Sequence, residues 1–365
     1  MSNIPVLDES VKENLLKSML KDRFAQIAFF ILVALYAAVF LADFISPYSK
    51  DYSNRRMAYA PPSKLYIINE KGRISWPYTY NYIREFDNQS YKITFKQDRS
   101  KKYYMRYFAK GEKYKILGLI PFDRHFYGVE KGGNVYLLGT DINGRDNFSR
   151  LLFGGRISLT IGFLALFVSF PLGMIYGGIS GYFGGRLDFM MMRVAEAIMS
   201  IPSFYLLIIL ASILPANMTS IQRFTLIIMI LALIGWAGFS RVVRGMVLSI
   251  KKQEFVQATE SLGASNLRVI VRHILPQTIS YVIIAMTLSV PSYILAESGL
   301  SFLGLGIQQP DASWGNMLKE AQEFANIISR PWLLTPGFLI FVAVLSFNLI
   351  GDTIRDVLDP KSKVR

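Results

Sequence analysis

Six stretches of this sequence contain no Asp, Glu, Lys or Arg: 24–42, 157–185, 197–222, 224–240, 274–296 and 331–351. A helix rises about 1.5 Å per residue, so about 20 apolar residues cross a hydrocarbon layer about 30 Å thick. The pattern predicts an all-α polytopic membrane protein with six transmembrane helices, the first over 24–45. The third and fourth runs are separated only by Arg223 and read as a helical hairpin. A further uncharged stretch, 298–310, is too short to cross and reads as an interfacial or re-entrant segment.

Composition agrees. Of 365 residues, 52% are hydrophobic and only 18% charged, against roughly 25% charged in soluble domains. The chain has no Cys and only two His, His125 and His273. That removes disulfides, thiol nucleophiles and thiolate metal sites, and leaves no expected metal site or catalytic residue. The first run is longer than the core of a signal peptide, and Leu41-Ala42-Asp43-Phe44 is a poor cleavage site, so it reads as a retained helix.

The net charge of +14 has a definite address. With the N-terminus inside, sixteen Lys and Arg fall in cytoplasmic pieces, against Arg223, Lys319 and Arg330 in the short outside pieces. The positive-inside rule therefore puts both termini in the cytoplasm. The expected organisation is a cytoplasmic segment 1–23, a first helix 24–45, an outside segment 46–150, a membrane core 151–352 and a cytoplasmic tail 353–365. Segment 46–150 is long enough to translocate whatever its charge. It holds 14 of the 20 Tyr, and alternating stretches such as Tyr91-Lys92-Ile93-Thr94-Phe95-Lys96 read as strands, with Glu70-Lys71-Gly72 as a hairpin turn. A small, mainly β extracytoplasmic insert follows. It has no stacking motif for nucleic acid.

The cytoplasmic loop 241–277 carries the strongest functional pattern. Phe255, Ala258, Thr259 and Leu262 fall at i, i+3, i+4 and i+7, one face of a short helix. Gly263 stands where a helix end takes a left-handed residue. Ser265 is placed to cap a second helix, in which Leu267, Ile270, Val271 and Ile274 repeat the spacing. From periodicity alone the loop is either a basic topology signal or a pair of amphipathic helices docked in a partner's groove.

At these residues the sequence resembles the EAA loop of ABC-importer membrane subunits: Gln257-Ala258-Thr259, three residues, Gly263, then Leu275-Pro276. Gln257 stands for the motif's Glu, Thr259 for its second Ala and His273 for its Ile. Beyond the loop, Leu138-Gly139-Thr140-Asp141, Gly144-Arg145-Asp146, Ser149-Arg150 and Gly155-Arg156-Ile157-Ser158-Leu159 resemble the entry to the second span of C-type subunits in the dipeptide/oligopeptide/nickel permease family. So do Gly181-Tyr182-Phe183-Gly184-Gly185, the run Leu300 to Gly306 with Gly304, Ser313-Trp314-Gly315, Asn348 to Asp352, and Leu358-Asp359-Pro360. The insert at 46–135 exceeds what shorter members carry.

The resemblance implies the type I importer fold and a permease that forms half of a peptide pathway with a second permease subunit as a heterodimer. Two cytoplasmic ATPases would bind the coupling loop at Glu254, Gln257, Ala258, Thr259, Gly263, Ala264, Leu275 and Pro276. An extracytoplasmic substrate-binding protein would deliver peptide. Apart from the resemblance, the excess of basic groups in 46–135 would attract an acidic partner surface, so the insert reads either as a docking aid for that protein or as a folded decoration that shields the mouth of the pathway. Gly139, Thr140, Asp141, Gly144, Arg145, Asp146, Arg156, Gly304, Trp314, Gly315, Asp352 and Asp359 are the remaining family-motif residues. The chain has no Gly-x-x-x-x-Gly-Lys-Ser/Thr loop, so no cofactor is expected in it. ATP and Mg would be bound by the partner ATPase. Nickel chelates are the alternative solute within the family; a receptor or channel is the alternative from another class.

Three smaller patterns have structural explanations. Gly173, Gly177, Gly181 and Gly185 recur every four residues and suit close helix packing, the last with Gly184 suiting a turn. Gly178-Ile179-Ser180-Gly181 matches intramembrane serine proteases, but neither His is placed to act as its base. Asp141 and Asp146 read as turn and cap residues before the second span.

Overall fold

The computed structural model describes residues 21–69, 72–88, 91–116, 120–215 and 217–358. Lys12, Lys17, Glu70, Lys71, Asp359 and Pro360 lie outside the described residues. The chain divides into two compact units. One is built on 160–300 with parts of 1–33 and 341–365, and the other on 34–159 and 301–340.

The helices in order are α1 (Arg23–Phe40), α2 (Asn147–Phe183), α3 (Gly185–Met199), α4 (Ser203–Ser212), α5 (Ser220–Ile250), α6 (Glu254–Ser261), α7 (Ile279–Phe302), α8 (Trp314–Leu318), α9 (Phe324–Ser329) and α10 (Thr335–Leu358). Among the described residues five helical stretches are long and apolar enough to cross a membrane: α1, α2, α5, Asn266–Phe302 and Pro331–Leu358. The pair α3 and α4 passes the same test together, bent by 79°, giving a sixth.

That bend corrects the reading of the third and fourth runs. No hairpin is divided at Arg223. Pro202, which has no N–H to continue a helix, stands as N-cap of α4, and the chain turns back after Ser212. Helix α5 starts at a capping box: the Thr219 hydroxyl accepts from the Gln222 N–H at 3.3 Å, and the Thr219 N–H donates to Gln222 Oε1 at 3.0 Å. Arg223 is therefore inside the first turn of α5, its guanidinium donating to the Pro215 carbonyl at 2.8 Å. The same helix runs on through Ile250, past the end of the uncharged run at 240. Similarly, the first five residues of 298–310 complete α7.

In the first unit α2 lies directly against α5. A Cβ added to Gly177 would strike the Ser240 carbonyl, and one at Gly181 would lie 2.8 Å from the Arg244 carbonyl. Absence of side chains is thus what lets the two backbones approach. Phe170 and Phe239 pack tilted at 4.1 Å between centroids, and Tyr176 meets Trp236 at 4.6 Å. Gly185, by contrast, has open space around it and sits in the turn into α3.

In the second unit six strands follow α1: β1 (Tyr66–Ile68), β2 (Ile74–Thr79), β3 (Tyr82–Asp87), β4 (Lys92–Gln97), β5 (Tyr103–Ile116) and β6 (Ile120–Val129). A four-stranded antiparallel sheet has the order β1-β2-β5-β6, and β3-β4 form a separate hairpin. The Asn69 N–H donates to the Arg73 carbonyl at 2.9 Å. The sheet is an aromatic one: Tyr66 stacks on Tyr78 at 5.5 Å and Trp76 meets Tyr107 edge-on at 5.8 Å.

Candidate functional site: the coupling segment and the motif framework

The loop of the first unit folds as two helical pieces around Gly263. Helix α6 has Gln253 as N-cap, and its end is closed by the Leu262 and Gly263 N–H groups bonding to Ala258 and Glu260 carbonyls. Gly263 itself has φ 80° with nothing near it, so an L side chain there would be strained by the backbone alone. The second piece starts at Asn266, is wound as a π-helix over Val269–Ile274, and passes through Leu275–Thr278 into α7. Ser265 is its N-cap, but its hydroxyl makes no capping bond; its carbonyl accepts from the Val269 N–H at 3.0 Å.

The expected apolar faces are only partly covered by the chain's own core. Val256 is the buried contact of α6, while Leu262 is 88% exposed and Phe255 39%. In the second piece Val269, Ile270 and Ile274 are buried, whereas Leu267 and Val271 are exposed. The π winding, with its wider turn, puts residues five apart on one face, so Val269 rather than Val271 aligns with Ile274. Ala258 is also exposed and Thr259 half-buried, its hydroxyl donating to the Phe255 carbonyl at 2.7 Å. Glu254 and Gln257 are exposed, Ala264 is half-buried, Leu275 is buried and Pro276 starts the entry into α7.

The segment is fixed to its own unit by polar contacts from α2. Tyr182 Oη donates to Glu260 Oε1 at 2.8 Å, and Lys251 Nζ donates to the Tyr182 carbonyl at 2.6 Å. Neither Tyr182 nor Glu260 was singled out by spacing, since their relation is purely tertiary. A rigid mount thus presents an uncovered apolar face.

The motif residues of the second unit form a separate framework. Gly139 and Gly144 are turn residues in the approach to α2. Thr140 is buried, its hydroxyl accepting from the Ala60 N–H at 2.8 Å and donating to the Met57 carbonyl. Asp141 Oδ1 accepts the Asn143 and Arg145 N–H groups at 2.8 and 2.9 Å, and its Oδ2 pairs with Arg145 Nε at 2.6 Å. Asp146 caps α2 through Oδ2, which takes the Ser149 N–H at 2.8 Å. Both acids therefore fill the turn and cap roles expected of them.

Burial dominates the electrostatics of this framework. Asp146 Oδ1 and Tyr127 Oη have no hydrogen-bond partner among the described residues. Desolvation, with the Asp141 charge adding, pushes the Asp146 carboxyl up to about 7. The same two causes raise Glu320 to about 7, although its Oε2 accepts the Ile142 N–H at 3.0 Å.

Trp314 is fully buried: its Nε1 donates to the Leu151 carbonyl at 2.9 Å and its backbone N–H to Ser158 Oγ at 3.0 Å. Ser313 and Asn316 make the capping box of α8, with Gly315 buried between them. Gly304 lies in the turn after α7, facing Lys319. Arg156 clamps the end of α1, donating to the Val39 and Phe40 carbonyls at 2.8 and 3.0 Å and pairing with Asp43 at 2.5 Å. Asp352 is exposed on α10. The motif residues thus fall into a coupling segment and a framework, and Asp352 belongs to neither.

The first unit also carries an open cavity of ≈ 390 Å³, lined by Phe170, Gly235, Tyr281, Ser289, Ser292 and Tyr293 among others, with no Asp, Glu, Lys or Arg.

Comparison with known proteins accords with this geometry. The family model described as "binding-protein-dependent transport system inner membrane component" matches residues 169–364, more than half the chain. That described as the N-terminal transmembrane domain of oligopeptide transport permease C matches 14–62. The chain is 44% identical over 225 residues to the dipeptide transport system permease protein of Bacillus subtilis, covering 61% of this chain and 68% of that one. It is 42% identical over 229 residues to an oligopeptide transport system permease protein of Haemophilus influenzae (62% and 71% covered). A glutathione transport system permease protein of Escherichia coli is 38% identical over 251 residues (67% and 80%).

Proposed function

Because the chain belongs to the family of binding-protein-dependent transport system inner membrane components, we propose that it is the permease subunit that passes peptides through an ATP-driven importer and receives the ATPase stroke at α6. It is a multi-pass inner-membrane permease of an ABC importer. The observation that carries the coupling role is the uncovered apolar face of residues Phe255, Leu262, Leu267 and Val271 on a mount held by Tyr182. An amphipathic helix with its apolar face outward is made for a partner's groove.

The partners that complete this reading are a second permease subunit, two cytoplasmic ATPases that bind ATP and Mg, and an extracytoplasmic substrate-binding protein. Peptide is the solute because relatives named for dipeptides and oligopeptides are 44% and 42% identical to this chain. The uncharged cavity wall, with Tyr and Ser hydroxyls, supports it: such a wall hydrogen-bonds a peptide backbone without selecting side-chain charge. Both termini are cytoplasmic, and the basic insert faces the binding protein.

The test pairs two variants. Leu262→Asp and Val271→Asp should leave the permease in the membrane but abolish copurification with the ATPases and peptide uptake. Retained copurification in both would refute coupling at this face. Since the chain has no Cys, orientation is read separately: Cys at Asp311 should react with an impermeant reagent on intact cells, and Cys at Gln253 should not.

A further inference from the structure

The end of α1 and the β5–β6 hairpin enclose a groove of ≈ 370 Å³ lined by Phe40, Leu41, Asp43, Phe44, Phe108, Tyr114 and Phe122. Six of these seven side chains are aromatic or aliphatic. The seventh, Asp43, has its carboxylate turned to Arg156 at 2.5 Å. The hairpin is locked at this place. Phe44 packs against Phe108 and Phe126 at 5.9 Å and against Phe122 at 6.5 Å, while His125 Nδ1 donates to the Ser46 carbonyl at 2.6 Å.

The wall is nevertheless open on its apolar side. Phe40 is 61% and Phe108 54% exposed, and Tyr107 and Phe126 extend the same uncovered aromatic surface along the hairpin. Phe108 also holds a left-handed backbone, φ 52°, which a bulky side chain rarely adopts. A soluble insert standing clear of the membrane would have no reason to present rings there.

What covers the groove follows from where it lies. Phe40 ends α1 and Leu41 follows it; α1 is long and apolar enough to cross a membrane and leaves Phe24, Ile27, Phe30 and Val33 uncovered along its length, so the groove stands where that uncovered apolar surface ends. The Asp43–Arg156 pair marks the polar side of the boundary, and the aromatic rings match the composition favoured at that depth.

We propose that this groove seats an acyl chain of a bilayer phospholipid, and that the β5–β6 hairpin rides on the membrane surface instead of projecting into water. The insert is then a lipid-anchored collar around the exit of α1.

The test uses the Cys-free chain assembled with its partner subunits in vesicles of phosphatidylcholine and phosphatidylglycerol. Nitroxides are attached to single Cys residues replacing Phe108, Phe122 and, as the in-bilayer reference, Phe30 of α1. Spin relaxation by oxygen and by a water-soluble nickel chelate is compared. At 108 and 122 oxygen should relax the label more than the chelate does, with a ratio approaching that at Phe30. A ratio in favour of the chelate would overturn the proposal, as would exclusion of both reagents, which would mean that protein covers the groove.

Because replacing a wall residue alters the groove, a second measurement uses the native side chains. Native mass spectrometry of the extracted transporter should show at least one more retained phospholipid for the natural chain than for the doubly substituted Leu41→Glu, Phe108→Glu form, assembled in the same yield. Equal lipid counts would overturn the acyl-chain site.

Discussion

Arg244 on α5 grips Asp188 on α3 with both arms of its guanidinium, Nε at 2.5 Å from Oδ1 and Nη2 at 2.6 Å from Oδ2. Ser180 of α2 donates to the same Oδ1, so three helices of one unit meet at a single carboxylate. Asp188→Asn keeps the size but discards the charge that the fork requires. We expect a loss of about 1.5–3 kcal/mol, the range for hydrogen bonds to charged groups, read as a lowered Tm of the assembled transporter. Arg244→Lys should lose less, since it keeps the charge but not the two-armed geometry.

Gly263→Val isolates the link between the two pieces of the coupling segment. A left-handed backbone costs an L residue about 1–2 kcal/mol, and the β-branched side chain makes it worse. Membrane insertion should be normal while ATPase association and peptide uptake fall. Uptake at the natural level would mean that the hinge angle at 263 is not transmitted.

Gly177→Leu tests the contact between α2 and α5. Its Cβ would collide with the Ser240 backbone, which cannot move aside as a side chain would. Overpacking of this kind costs about 1–3 kcal/mol, occasionally more. Gly185→Leu, in open space but at φ 58°, should do less harm. Yield of folded protein after extraction ranks the two.

The framework acids give a pH prediction with a definite sign. Asp146 and Glu320 ionise near 3.8 and 4.5 in an unfolded chain and near 7 in place. Between those values the folded protein holds protons that the unfolded chain has released, so stability falls as pH rises toward 7 and levels beyond it. Asp146→Asn retains a good cap, and Glu320→Gln retains an acceptor for Ile142. Each should reduce the difference in Tm between pH 5 and pH 7.5. An undiminished difference in the double variant would place the titration elsewhere.

Much of this molecule was legible in the chain because hydropathy and turn chemistry act locally. The crossings, the Tyr-rich strands, Gly263 and the cap at Asp146 all follow from short-range rules. The misreadings come from residues whose roles are set at a distance. Arg223 interrupts an uncharged run, yet it belongs inside a helix because the Pro215 carbonyl takes its charge. The buried faces of the coupling segment depended on a π turn that no 3.6-residue template contains. The template found Ile270 and Ile274 but missed Val256 and Val269, which the chain's own core claims instead of Leu262, Leu267 and Val271. The Tyr182–Glu260 contact and the Glu320–Ile142 bond join residues 78 and 178 positions apart, beyond any spacing rule.

The wide winding of Val269–Ile274 has a mechanical meaning. A segment that accommodates an extra residue in its turn holds spare length, and deleting one residue would let it tighten into ordinary winding. The tightening would absorb the deleted residue, so the segments on either side would keep their phase, whereas the same deletion inside the ordinary winding of α7 would rotate everything beyond it by about 100°, the angle of one residue in an α-helix. This short piece is therefore the slack in the connection between α6 and α7: it is the place where the length of the chain can change by one residue without turning one helix against the other.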